Sequence, residues 1–174
     1  MSEGHKSVLL REAINFLRPF NGGVFVDATL GLGGHTTAVF EKAPGAVVIG
    51  IDADERNLEI ASRALSSQKG FRPVNADFRD IDSVLEKENI EKIDGILYDL
   101  GVSSLHFDDA SRGFSFSKEG PLDMRLGAGA AMTAADVVNK YSSIELSRVI
   151  REYGEEREWK RVSSAIINAR PLKM

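Results

Sequence analysis

Short apolar stretches and helical patterns alternate along the first hundred residues of this chain. Each apolar stretch is followed by a segment whose apolar residues recur every three or four positions, which is the spacing of one helix face. A strand–helix–strand alternation favours parallel strands with helices on both faces of the sheet. The predicted strands are residues 24–27, 46–51, 71–75 and 95–98, and the predicted helices are residues 34–42, 55–67 and a segment around 81–85. The pattern therefore predicts an α/β fold built on a doubly wound parallel sheet.

The alternation stops after Asp99. Residues 101–132 are rich in Gly, Ser, Asp and Ala and show no period, which predicts an extended loop. Two patterns typical of capping boxes follow, Thr133 with Asp136 and Ser142 with Glu145. The chain then predicts a helix with an apolar stripe of Leu146, Val149, Ile150 and Tyr153, and a second helix that carries Val162 and Ile166 and ends before Pro171.

Composition and charge exclude several classes of protein. The chain has no cysteine, which excludes disulfides, thiolate nucleophiles and cysteine-ligated zinc, and its three histidines have no metal-binding spacing. The N-terminus lacks the features of a signal peptide and no apolar run is long enough to cross a bilayer, so we expect a cytoplasmic protein without a membrane partner. The net charge of -4 argues against nucleic-acid binding by bulk electrostatics alone. Residues 141–174 carry a net charge of +2, which fits either a solvated helical face or an RNA-contacting surface.

Acidic residues follow all four predicted strands, at the edge where doubly wound sheets bind ligands. They are Asp27, Asp52, Asp77 and Asp99. Asp27 precedes a Gly31-x-Gly33-Gly34 turn, which either allows tight strand-to-helix packing or presents backbone N–H groups to a ligand. Asp52 lies 21 residues after Gly31, where an acid can accept hydrogen bonds from ribose hydroxyls.

The glycine turn departs from the dinucleotide fingerprint, because Thr36 occupies the third glycine position. A nucleoside ligand without a pyrophosphate fits this turn better, and S-adenosylmethionine is such a ligand. Its methionine carboxylate is expected to face the glycine turn while its ribose reaches Asp52. A nicotinamide-dependent enzyme on the same sheet is the weakest alternative, because that function needs the missing glycine.

Six stretches of this chain together resemble the RsmH (MraW) family, from about His5 to Leu172. They are residues 5–10 (HKSVLL), 27–35 (DATLGLGGH), 94–104 (DGILYDLGVSS), 112–116 (RGFSF), 121–125 (PLDMR) and 153–157 (YGEER). The resemblance implies an S-adenosylmethionine-dependent enzyme that methylates the N4 amine of a decoding-region cytidine in small-subunit ribosomal RNA. It also implies a Rossmann-like class I methyltransferase fold, here with the first four strands of the parallel sheet and part of a helical insertion domain. The expected domains are a cofactor-binding half (1–104), an extended active-site loop region (105–132) and the start of the insertion domain (133–174).

The resemblance also implies the residues of the site. Cofactor contacts are expected at Gly33, Gly34, His35, Asp52, Phe78, Asp99 and, where the family typically has glutamine, His106. Asp99 is the catalytic candidate, because a group that accepts one amine hydrogen would localise the lone pair of the amine and align it with the S–CH₃ bond.

Two further pairs of residues admit two interpretations each. Phe114 or Phe116 would stack on an extruded base or pin the core of the loop. Arg112 and Arg125 would contact phosphate or form an internal salt bridge, of which the salt bridge is preferred.

The family continues beyond its Arg-Pro-Leu segment, whereas this sequence stops at Lys173-Met174. We expect the fourth strand to become a sheet edge that can pair with a second copy. The expected partner is small-subunit ribosomal RNA or the assembled small subunit. The alternative function is a truncated, noncatalytic remnant that binds cofactor or associates with RNA.

Overall fold

The computed structural model describes residues 7–127 and 129–173. His5 and Lys6, which begin the first stretch of the family resemblance, lie outside the described residues, as does Met174. The chain divides into two units, Met1–Ser103 and Ser104–Met174. Each unit is described by itself below.

The first unit contains the predicted parallel sheet. Its strands are β1 (Val24–Asp27), β2 (Val47–Asp52), β3 (Phe71–Asn75) and β4 (Gly95–Leu97). All pairs are parallel and the order is β3-β2-β1-β4, so β3 and β4 are the outer strands of the described sheet. The α/β prediction is confirmed, and the edge position of β4 agrees with the expectation.

Among the described residues, four helices belong to this unit, and one of them was not predicted. They are α1 (Leu10–Leu17), α2 (Gly34–Lys42), α3 (Glu55–Ala64) and α4 (Ile81–Lys87), and a 3₁₀ turn, Phe78–Asp80, precedes α4. The unpredicted helix is α1, which contacts α2 and β4. Its apolar residues Leu10, Ile14 and Leu17 follow the i, i+4, i+7 spacing of a helix face, so the signal was present in the sequence.

Apolar side chains on the two faces of the sheet form two clusters. Phe25 and Val48 lie in one with Val39 of α2, and Val26 and Ile49 lie in the other with Val84 of α4. Neighbouring strand residues point to opposite faces, so consecutive apolar residues are all buried. Burial of each such side chain stabilises the fold by about 1.5–3 kcal/mol. This two-sided core fixes the strand ends that carry the candidate site.

The second unit contains the predicted helices and some unpredicted ones. Its helices are α5 (Ser104–Asp108), α6 (Ala134–Lys140), α7 (Ser143–Glu152) and α8 (Trp159–Asn168). Both capping boxes are confirmed, at Thr133 before α6 and at Ser142 before α7. The prediction that residues 101–132 lack regular structure was wrong for α5 and for a 3₁₀ turn at Ala110–Arg112, which are too short to show a period.

The apolar stripe predicted on α7 is partly wrong. Leu146 is buried, whereas Tyr153 follows the end of the helix and is 72% exposed. The guanidinium of Arg148 lies 5.8 Å from the centre of the Tyr153 ring. Tyr153 therefore contacts a cation at the surface and not the core. In the part of the chain that the structure describes, no helix is both long and apolar enough to span a bilayer.

Candidate functional site

The strand order brings the acidic strand ends together. The chain moves from β1 outward through β2 to β3 and then returns to β4 on the other side of β1. Such a reversal leaves a crevice at the carboxyl ends of the two strands beside it. Asp27 ends β1, Asp52 ends β2, and Asp99 lies two residues beyond β4. The crevice between β1 and β4 is therefore the candidate site.

Gly33 adopts a backbone conformation that requires glycine. Its φ is +81°, and a Cβ atom there would lie 3.1 Å from Leu65 Cδ1 and 3.3 Å from the Cβ of Ala61. The turn is tied to the sheet, because Leu30 donates its N–H to the Ile51 carbonyl (2.8 Å). Tight packing against α3 thus explains Gly33, which supports the structural interpretation of the turn. Gly34 is exposed at the start of α2, where N–H groups without helical partners favour an electronegative group.

Asp52 contacts the glycine turn directly. Its Oδ2 accepts the N–H of Gly31 at 2.7 Å, and its Oδ1 accepts the N–H of Asp54 at 2.8 Å. The side-chain amide of Asn57 lies 3.4 Å from Oδ2. Burial raises the pKa of the Asp52 carboxyl above its ordinary value, and these hydrogen bonds offset part of the rise. The acid predicted to bind ribose therefore also holds the turn predicted to bind the amino-acid end of the same ligand.

Asp27 is buried beneath the crevice. The hydroxyl of Thr36 donates to Asp27 Oδ2 at 2.7 Å, and the N–H of Thr29 lies 3.4 Å from Oδ1. Burial raises the pKa of the Asp27 carboxyl, and the Thr36 hydrogen bond opposes the rise. The threonine in the third glycine position therefore joins α2 to the end of β1. The sequence showed that Thr36 breaks the dinucleotide fingerprint, but it did not predict the hydrogen bond between Thr36 and Asp27.

His35 and Asp99 face each other across the crevice. His35 is 6% exposed, and its Nε2–H donates to the Val8 carbonyl at 3.1 Å. Its Nδ1 lies 3.8 Å from Asp99 Oδ2, and the Asp99 side chain is 44% exposed. The buried ring with a fixed donor fits a residue that shapes the pocket. The exposed carboxylate of Asp99 is free to meet a substrate.

Two aromatic rings lie at the same edge of the sheet. Phe78 is 38% exposed and Tyr98 is 45% exposed. Their rings meet edge to face, with centres 5.8 Å apart and planes at 85°. Sequence reasoning identified Phe78 and missed Tyr98, although an aromatic residue directly before Asp99 was a usable signal. Asp77, beside Phe78, pairs with Arg79 at 2.6 Å, and this contact lowers the pKa of the Asp77 carboxyl.

His106 lies in the second unit, where it is buried and its ring centre is 5.0 Å from that of Phe114. Its expected role as a cofactor contact stays a prediction. Phe114 also meets Phe107, which supports the loop-core interpretation, whereas Phe116 is fully exposed. The structure therefore separates the two phenylalanines that the sequence left equivalent.

The arginines of the loop make internal contacts. Arg125 pairs with Asp123 at 2.7 Å, as preferred from the sequence, and the pKa of the Asp123 carboxyl is lowered by that pairing. Arg112 donates to the carbonyls of Arg125 and Leu126, each at 2.9 Å. Arg112 therefore connects the RGFSF stretch to the end of the PLDMR stretch, whereas the Arg125–Asp123 pair lies within PLDMR.

Residues 2–174 match the model of the MraW methylase family. The ribosomal RNA small subunit methyltransferase H of Caldicellulosiruptor bescii is 46% identical over 97% of this chain and 55% of its own length. The protein of the same name from Kosmotoga olearia is 44% identical over 99% of this chain and 59% of its own length. The chain thus spans little more than half the length of these curated relatives. A solved rRNA methylase from Streptococcus thermophilus is 20% identical over 56% of this chain and 58% of its own, with a TM-score of 0.47.

Proposed function

This chain belongs to the MraW methylase family, and we propose that it carries the S-adenosylmethionine site of a methyltransferase that acts on small-subunit ribosomal RNA. The observation that carries the proposal is the contact between the glycine turn and Asp52, through the 2.7 Å hydrogen bond from Gly31. This contact brings together, at the carboxyl ends of the strands, the glycine turn and the acid that a nucleoside with an amino-acid tail requires. Asp99 lies at the same edge, beside β1.

The residues present match the three chemical parts of S-adenosylmethionine. Gly34 is exposed at the start of α2, where the N–H groups of the first turn have no helical acceptor, and this suits the methionine carboxylate. Gly31 and Asn57 donate to Asp52 Oδ2 and Asp54 donates to Oδ1, so one of about four acceptor sites, on Oδ1, is left for a ribose hydroxyl. The half-exposed ring of Phe78 offers an apolar face for the adenine. We also propose Gly33 and His35, which lie on either side of Gly34 in the chain, as cofactor contacts.

The bound cofactor supplies an activated methyl group, and the chain supplies the acceptor of a proton. We assign this role to Asp99, because its carboxylate is exposed while its backbone is held by a hydrogen bond. When the N4 nitrogen of cytosine gains the methyl group, it loses a proton, which Asp99 accepts and passes to water. A hydrogen bond to the amine before transfer also directs the nitrogen lone pair toward the methyl group.

Features of the second unit support RNA as the substrate. Phe116 is fully exposed in the loop, where a ring can stack on an extruded base. The side-chain charges of Arg151 and Lys160 lie 5.4 Å and 5.3 Å from the centre of the Trp159 ring. A cation beside an aromatic ring suits an RNA strand, because the cation can contact a phosphate and the ring can stack on a base. A ribosomal RNA substrate places the protein in the cytoplasm.

The test is transfer of a radiolabelled methyl group from S-adenosylmethionine to small-subunit ribosomal RNA, as free RNA and as assembled subunits. We expect N4-methylcytidine in the decoding region, and at least a hundredfold loss of rate in Asp99→Asn. Asp82→Asn, which changes an exposed acid on α4, is the matched control and should keep the rate.

The outcomes of this assay separate the two candidate functions. Binding of S-adenosylmethionine without methyl transfer would favour the noncatalytic remnant. Methylation at another nucleotide would refute the decoding-region cytidine, and an unchanged rate in Asp99→Asn would refute the role of Asp99.

A further inference from the structure

We propose that Thr29 is a positioning residue that fixes Asp99 for methyl transfer. The inference rests on the proposed function, because it assigns to Thr29 the placement of the proposed proton acceptor. Its physical basis is a side-chain hydrogen bond that continues the sheet where the backbone pairing of β1 and β4 ends.

The pairing of β1 with β4 ends at Asp27 and Leu97. One further backbone hydrogen bond follows, from Ala28 N–H to the Leu97 carbonyl at 2.9 Å. Beyond it, the N–H of Asp99 donates to Thr29 Oγ1 at 2.7 Å. In the described ranges β4 pairs only with β1, so the sheet holds Asp99 from the β1 side.

Thr29 is itself held by a buried anchor. Its N–H lies 3.4 Å from Asp27 Oδ1, and the other oxygen of Asp27 accepts the hydroxyl of Thr36 at 2.7 Å. Asp27 is 4% exposed and Thr36 is fully buried, so packing restricts both side chains. A continuous set of contacts therefore runs from α2 through the end of β1 to the backbone of Asp99.

The link also sets where the Asp99 carboxylate lies. His35 projects from α2, the helix that carries Thr36, and its Nδ1 is 3.8 Å from Asp99 Oδ2. Release of the Asp99 backbone would change the position of this carboxylate against both His35 and a substrate amine. A displacement of about 1 Å at a reacting group can lower a rate about a hundredfold.

The chemistry of the link requires a hydroxyl at position 29. The Asp99 N–H needs an acceptor, and the Thr29 oxygen supplies it. Thr29→Val keeps the branched shape and removes the acceptor, whereas Thr29→Ser keeps the acceptor and removes a methyl group. The two variants therefore separate hydrogen bonding from packing.

The experiment compares the full chain with both variants, after circular dichroism has shown that each is folded. Amide hydrogen exchange of Asp99 is measured by NMR, cofactor binding by calorimetry, and kcat and KM by methyl transfer to small-subunit ribosomal RNA. We expect Thr29→Val to speed exchange of the Asp99 amide about tenfold. We also expect kcat to fall about 10- to 100-fold, while KM changes less than about threefold. Cofactor affinity should fall less than kcat, because Asp99 is only one of several expected cofactor contacts. Thr29→Ser should restore exchange and kcat to within about threefold of the original chain.

Unchanged exchange at Asp99 in Thr29→Val would overturn the proposal, as would equal losses of kcat in Thr29→Ser and Thr29→Val. A loss confined to KM or cofactor affinity would also overturn it. If the original chain neither binds cofactor nor methylates RNA, the proposed function fails. The exchange data then still decide whether Thr29 holds Asp99, since faster exchange only in Thr29→Val supports the link and equal exchange refutes it.

Discussion

Substitution of Gly33 by alanine tests the packing of the glycine turn against α3. Gly22 provides a matched control, because its φ of +83° is nearly that of Gly33 (+81°) and no atom lies within 4 Å of a Cβ built there. Both substitutions meet the same backbone penalty. Only Gly33→Ala also places a methyl group against Leu65 and Ala61, at 3.1 and 3.3 Å.

The expected magnitudes follow from these two contributions. Alanine in a left-handed backbone conformation destabilises the folded state by about 1–2 kcal/mol. Replacing glycine also reduces the conformational freedom of the unfolded chain, which stabilises the protein by about 0.4–1 kcal/mol. Gly22→Ala should therefore lower the free energy of unfolding by about 1 kcal/mol. Gly33→Ala should lower it by about 2–4 kcal/mol, because overpacking of a buried contact adds about 1–3 kcal/mol.

The assay is urea unfolding followed by far-ultraviolet circular dichroism, with amide exchange of β1 to report on the first unit alone. The difference between the two variants measures the packing contribution without the backbone contribution. Equal losses in Gly22→Ala and Gly33→Ala would refute the close approach of the turn to α3. No loss in either variant would refute the positive φ angles.

Three further predictions concern charge and helix capping. Burial raises the pKa of the Asp27 carboxyl above its ordinary value of 3.8. The contribution of this carboxyl to the free energy of unfolding is therefore fully present below pH 3.8 and is lost as the pH rises through the folded-state pKa. In urea unfolding, the free energy of unfolding of Asp27→Asn should depend less on pH across that range than that of the unsubstituted chain. Identical pH profiles for the two chains would contradict this prediction. The proposed ribose contact needs the ionised form of Asp52. Because the pKa of Asp52 is also raised, cofactor affinity measured by calorimetry should weaken as the pH falls through that pKa. An affinity independent of pH would count against ribose binding at Asp52. Thr133→Ala and Ser142→Ala each remove a capping box and should each lower the free energy of unfolding by about 1 kcal/mol, and thermal unfolding indistinguishable from the original chain would refute the caps.

The parallel sheet was predictable because its strands are buried on both faces and therefore appear as continuous apolar runs. Val26 and Ile49 belong to such runs, and each run is followed by an acid where the chain leaves the sheet. The proximity of Asp52 to the glycine turn was also predictable, because the end of β2 lies beside the end of β1 in a sheet of this type.

Contacts between distant residues were not predictable from local patterns. The hydrogen bond from Asp99 to Thr29 joins residues 70 positions apart and depends on the register of β1 with β4. The contact between Thr36 and Asp27 depends on the rotation of α2 about its axis, which periodicity does not specify. Tyr153 was misplaced because an apolar stripe does not indicate where its helix ends, and α7 ends at Glu152.

Calorimetric titration of the full chain with S-adenosylmethionine tests the central claim most directly. It is repeated with Asp52→Ala and with Asp82→Ala, which removes an exposed acid of the same unit. We predict saturable binding that weakens at least tenfold in Asp52→Ala and stays unchanged in Asp82→Ala. Absence of binding by a chain that circular dichroism shows to be folded would contradict the cofactor site, and equal affinity in Asp52→Ala would contradict its placement beside the glycine turn.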